Sequence, residues 1–127
     1  MRVGITGTRK GLTSKQFIAF HNQIKHNEVS EIHHGDACGC DQQINYETRH
    51  LFPDIKIVKH LPEHFTSKYL LKRNREIVDI CDILWAFPKS RKEELRSGTW
   101  ATIRYARKKK MPIIIIYPDG GLNGRMY

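Results

Sequence analysis

No apolar run in this chain approaches the ~18 residues that a membrane-spanning helix needs, so no such span is expected. The N-terminus carries one charge before a glycine-punctuated strand and does not read as a secretory leader. Cysteine is scarce: Cys38, Cys40 and Cys81 are odd in number and lack a disulfide-scaffold spacing, which fits a reducing compartment. The expected location is therefore the cytoplasm, with no membrane partner. Internal repeats, low-complexity stretches and Pro/Gly/Ser linkers are also missing, so residues 1–127 read as one domain. There is no P-loop lysine motif, no Ser-His-Asp arrangement and no acidic pair at a catalytic spacing. No catalytic residue, metal or cofactor is assigned.

Acidic residues are in the minority, 13 against 22 Lys and Arg, which leaves a net charge of +9. That excess favours an anionic partner, a nucleotide or a nucleic acid, through electrostatic attraction. An apolar content of 39% is ordinary for a folded domain and argues against disorder.

Apolar runs alternate with helical patterns. Strands are predicted over residues 2–6, 29–34, 55–60, 82–87 and 112–117, the last carrying four consecutive isoleucines. Helices are predicted over 13–26, 38–50, 69–80 and 98–110. The first opens on Thr13 with Gln16 three residues later, the spacing of a capping box. Residues 88–97 read as a charged loop, and the last ten as a tail or turn. Strand alternating with helix predicts a Rossmann-like, doubly wound parallel α/β sheet of five strands, order 3-2-1-4-5, with helices on both faces. Its switch point lies between strands 2–6 and 82–87, and ligands bind outside the carboxyl ends there.

Three glycine-containing turns fall at such carboxyl ends. In the first, Gly7-Thr8-Arg9 follows Val3–Thr6, and an arginine there pairs bidentately with phosphate. In the second, His34-Gly35-Asp36-Ala37-Cys38-Gly39-Cys40-Asp41 brackets a helix start with two glycines. Asp41 in its first turn is placed to hold a ligand hydroxyl, although the helix dipole alone also favours an acid there. In the third, Ser97-Gly98-Thr99 opens a helix with hydroxyls on either side of a glycine, a ready anion site. Arg73 and Asn74 lead toward the same switch point and suit a phosphate with a base or ribose edge. The candidate ligand-binding set is thus Gly7, Thr8, Arg9, His34, Gly35, Gly39, Asp41, Arg73, Asn74, Ser97, Gly98 and Thr99.

Each has a plainer reading. Arg9 fits a solvent-facing loop, Ser97 an ordinary N-cap, and the basic cluster Lys72–Arg75 a solvated helix face. Trp100 reads as a packing residue. His33, His34, Cys38 and Cys40 lie close in sequence, but the one further cysteine, Cys81, precedes a buried strand and reads as core, so no metal site is assigned.

Taken in order, Gly-Thr-Arg, His-Gly-x-Ala-x-Gly-x-Asp, Arg-Asn-Arg-Glu, Ala-Phe-Pro and Ser-Gly-Thr resemble the SLOG superfamily of Rossmann-like domains, from about residue 2 to 117. That superfamily includes the DNA-processing protein A family and the Lonely Guy phosphoribohydrolases, and this chain looks most similar to its small stand-alone members. The resemblance implies a cleft for a nucleotide or nucleotide derivative, and self-association into a homo-oligomer. For a domain with no effector attached it implies sensing or sequestration of a signal such as an ADP-ribose derivative or second messenger, in bacterial or phage conflict systems.

The departures from the family matter as well. Lonely Guy enzymes carry Pro-Gly-Gly-x-Gly-Thr, then two residues and a glutamate that serves glycosidic cleavage. Here Thr102 stands at that glutamate's place, and Asn74 replaces a lysine beside Arg73. Losing that carboxylate weighs against a nucleoside monophosphate N-glycosidase. Glu93 and Glu94, in the preceding loop, are the acids left to substitute for it. The DNA-processing resemblance leaves single-stranded nucleic acid as the other alternative partner.

Overall fold

The computed structural model describes residues 1–126; Tyr127 lies outside them. Ten elements follow in chain order: β1 (Arg2–Gly7), α1 (Ser14–Lys25), β2 (Glu31–His34), α2 (Cys40–Leu51), β3 (Lys56–Lys59), α3 (Ser67–Ile80), β4 (Ile83–Phe87), α4 (Gly98–Lys108), β5 (Ile113–Ile116) and β6 (Leu122–Arg125). They build one six-stranded sheet of order β3-β2-β1-β4-β5-β6. The first five strands are parallel and take the expected order; β6 is antiparallel to β5. A purely parallel sheet of five strands is thus corrected to a mixed sheet of six.

The added strand has a local cause. Pro118–Gly121 makes a tight reversal in which Gly120 sits at φ +83, the Gly120 amide donates to the Tyr117 carbonyl and the Tyr117 amide donates to the Gly121 carbonyl. This sets Leu122 opposite Ile116. All four β6 residues are exposed, so no apolar alternation marks the strand in the sequence.

Alternation along β4 divides the core. Ile83, Trp85 and Phe87 pack with Phe20 and Ile24 of α1 and Ile44 of α2, whereas Leu84 and Ala86 pack with Val78 of α3 and Trp100 and Ile103 of α4. Helices α1 and α2 therefore cover one face and α3 and α4 the other, the arrangement that right-handed crossovers impose. The Thr13/Gln16 capping box forms in both directions, with bonds of 3.1 and 3.0 Å. Gln16 is buried further by donating to the Pro88 and Ile116 carbonyls, which ties α1 to the ends of β4 and β5. Cys81 is half-buried at the end of α3, and burial pushes its thiol up to about 12. Among the described residues no helix is long and apolar enough to cross a membrane.

Candidate functional site

A cleft of about 620 Å³ opens beyond the carboxyl ends of β1 and β4, which stay paired as far as Gly7 and Phe87. That volume lies within the range of small-molecule sites. Of the predicted residues it is lined by Gly7, Thr8, Arg9, Asp41, Arg73, Asn74, Ser97, Gly98 and Thr99. His34, Gly35 and Gly39 do not line it; they hold the residues that do.

The β2–α2 turn is built inward. Its first three amides are consumed within the turn: Gly35 and Ala37 donate to Asp41 Oδ2 at 3.1 and 3.3 Å, and Asp36 donates to His34 Nδ1 at 2.9 Å. With Nδ1 accepting, His34 carries its proton on Nε2, which faces Asn45 Oδ1 at 3.0 Å. His34 is fully buried and acts as a brace. The Cys40 amide at the start of α2 donates to the Thr8 carbonyl, while the next two amides, of Asp41 and Gln42, find no acceptor among the described residues. Gly39 sits at φ +82, where a side chain would meet the Thr8 and Arg9 backbone.

Arg73 reaches this turn from α3 and is only 5% exposed. Nη1 donates to the Gly35 carbonyl at 2.6 Å and the His60 carbonyl at 3.2 Å, and Nε donates to Asn74 Oδ1 at 2.8 Å. A Cβ on Gly35 would overlap the guanidinium, so this glycine makes room for Arg73. Burial pulls the Arg73 pKa down, with Asp41 opposing and Arg9 adding to the effect. Burial raises the pKa of Asp41, and His34, the Ala37 and Gly35 amides and Arg73 work against that rise. Gly7 packs differently again: a Cβ there would overlap the Cys40 side chain, so it serves the contact between β1 and α2.

The β4–α4 side is built outward. Ser97 Oγ caps α4 by accepting from the Trp100 amide at 3.3 Å. The Gly98 and Thr99 amides find no acceptor among the described residues. A Cβ on Gly98 would meet nothing within 4 Å, so no neighbour within the protein requires glycine there. Around this terminus stand Arg9, Lys10, Lys89 and Arg96, while Leu70, Leu71 and Leu95 give the cleft an apolar wall.

Lys10, Ser67, Leu70, Leu71, Lys89 and Arg96 are lining residues that the sequence did not single out. The length and charge of the 88–97 loop, next to the switch point, were the available signal. Of the acids in that loop, Glu93 is drawn away by Arg104 and Arg107, and Glu94 lines the cleft 3.5 Å from Lys89. Thr102 is buried and donates to the Gly98 carbonyl at 2.9 Å.

Beneath the site a second polar chain runs along the sheet. Glu31 Oε1 meets His33 Nε2 at 2.8 Å, and His33 Nδ1 meets His60 Nε2 at 2.8 Å. Among the described residues no group of three or more His, Cys, Asp or Glu is arranged to hold a metal ion. Compared with known proteins, the chain matches no family model and no curated protein.

Proposed function

We propose that this protein binds a nucleotide or a nucleotide-derived small molecule in the β1/β4 cleft. The observation that carries the reading is the outward-facing start of α4. Two unpaired amides and a glycine with open space in front of it stand among four basic side chains. A helix terminus with free amides attracts an anion, and a missing Cβ lets that anion approach the backbone. Leu70, Leu71 and Leu95 supply apolar surface of the kind a base stacks against. The SLOG resemblance, with its sensing or sequestering role and its oligomeric members, belongs to the same proposal.

Titration calorimetry with AMP, ADP-ribose and a cyclic dinucleotide tests it. Saturable binding of at least one, without release of free base, is the expected result. Release of free base from a nucleoside monophosphate would move the reading to hydrolysis, with Glu94 the first residue to substitute. The single-stranded nucleic-acid alternative expects affinity that rises with oligonucleotide length and falls steeply with salt. The bound mass in native mass spectrometry reads the oligomeric state.

A further inference from the structure

Two charged side chains of opposite sign, each more than nine-tenths buried, line the same cleft without pairing with each other. Asp41 is 7% exposed and Arg73 5%. Asp41 spends Oδ2 on the Gly35 and Ala37 amides, and Oδ1 accepts nothing from the described residues. Arg73 spends Nη1 and Nε on two carbonyls and Asn74, and Nη2 donates to nothing described. Neither free atom is sealed from solvent, since among the described residues the only fully buried side-chain nitrogen or oxygen atoms without a partner are the indole nitrogens of Trp85 and Trp100. Both hold Gly35, Asp41 at its amide and Arg73 at its carbonyl, yet no ion pair within 4.0 Å joins them among the described residues.

An acceptor and a donor left open toward one cleft are met by water until a ligand displaces it, and that ligand must then supply their partners. The chemistry of the two atoms restricts what that ligand presents. A phosphate oxygen only accepts, and beside Asp41 Oδ1 it is repelled; an ammonium only donates, and beside Arg73 Nη2 it is repelled. A hydroxyl does both, donating to the carboxylate oxygen and accepting from the guanidinium. A vicinal pair of hydroxyls does so over a wider spacing.

We infer that Asp41 and Arg73 form a hydroxyl-reading pair, which makes the cleft selective for ribose over deoxyribose ligands, while phosphate is held across the cleft at α4. This rests on the nucleotide reading above and assigns the end of the ligand that lies against α2. The two turns then divide the work by charge: the outward one takes the anion, the inward one the neutral sugar edge. Removing a hydroxyl from the ligand leaves unpaired two polar atoms that the bound ligand has shut off from water, the situation in which discrimination is largest.

The test compares, on the unaltered protein, the ribonucleotide that binds best with its 2′-deoxy and 3′-deoxy analogues by calorimetry. At least one analogue is expected to bind about 100-fold more weakly. Equal affinity for all three overturns the inference and leaves the nucleotide reading standing. No binding by any nucleotide overturns both. Asp41→Asn is the second arm: its amide oxygen still accepts from Gly35 and Ala37, while its NH₂ replaces the open acceptor with a donor. The variant is expected to melt cooperatively and to bring the ribo-to-deoxy ratio close to one. A folded variant that keeps the parent's ratio would also overturn the assignment.

Discussion

The two turns that line the cleft differ in how the residues leading into their helices are satisfied. In the β2–α2 turn every amide from Gly35 to Ala37 has an internal partner, and the charges of Asp41 and Arg73 are buried. At the β4–α4 turn the Gly98 and Thr99 amides are unpaired, and Lys89 and Arg96 are exposed. The first turn's shape depends on its own hydrogen bonds. The second leaves its donors to whatever enters. A mutation should therefore affect stability on one side and binding on the other.

The largest expected effect is on the inward side. Arg73→Met strips the donor from the Gly35 and His60 carbonyls and removes the cation near Asp41, with an expected loss of about 3 kcal/mol in urea unfolding. Lys89→Ala and Arg96→Ala, on the outward side, should each stay within about 0.5 kcal/mol of the parent. Equal losses on both sides would break the comparison.

Next is Gly98→Trp, which fills open space at the start of α4. Stability should change by less than about 1 kcal/mol, because glycine contributes nothing favourable to a helix. Nucleotide affinity should fall by about 100-fold or more, roughly 2.7 kcal/mol, read by calorimetry. Arg9→Ala should cost about tenfold in affinity with an unchanged melting temperature, since Arg9 is exposed and a single charge-assisted contact is removed.

The smallest effect is a pH dependence. Asp41 has a folded-state pKa raised above its unfolded value, mainly by burial. The folded state then holds its proton to higher pH, so this group's contribution to stability is fully present at acid pH and declines as pH rises from about 3.9 through the folded pKa. The parent should lose stability relative to Asp41→Asn across that interval in urea titrations. A constant difference from pH 3 to pH 7, as an approximate window, would remove Asp41 from the account.

Much of the architecture was legible because it is written in local periodicity. The alternation of β-branched runs with amphipathic stretches predicted four helices and five strands, and Thr13 with Gln16 predicted a cap that forms. Strand β6 was not legible, since its pairing comes from the Pro118–Gly121 reversal and neither of its faces is buried. In the site, the sequence located the three turns at one sheet edge but not their orientation. Gly7, Gly35 and Gly39 look alike as residues; only tertiary contact shows that they make room for Cys40, Arg73 and the Thr8–Arg9 backbone, whereas Gly98 faces open space. Arg73 was legible as a residue reaching the cleft, but not its burial, because the carbonyls that hold it, at Gly35 and His60, are remote in sequence.

The central claim is that the outward turn beside Gly98 holds an anionic nucleotide group. Its most direct test is isothermal titration of AMP, ADP-ribose and a cyclic dinucleotide into the parent protein and into Gly98→Trp. The account predicts saturable binding of at least one by the parent and binding about 100-fold weaker or more by the variant, with stability within about 1 kcal/mol of the parent's. Binding to both alike, or no heat from any ligand with the parent, would contradict it.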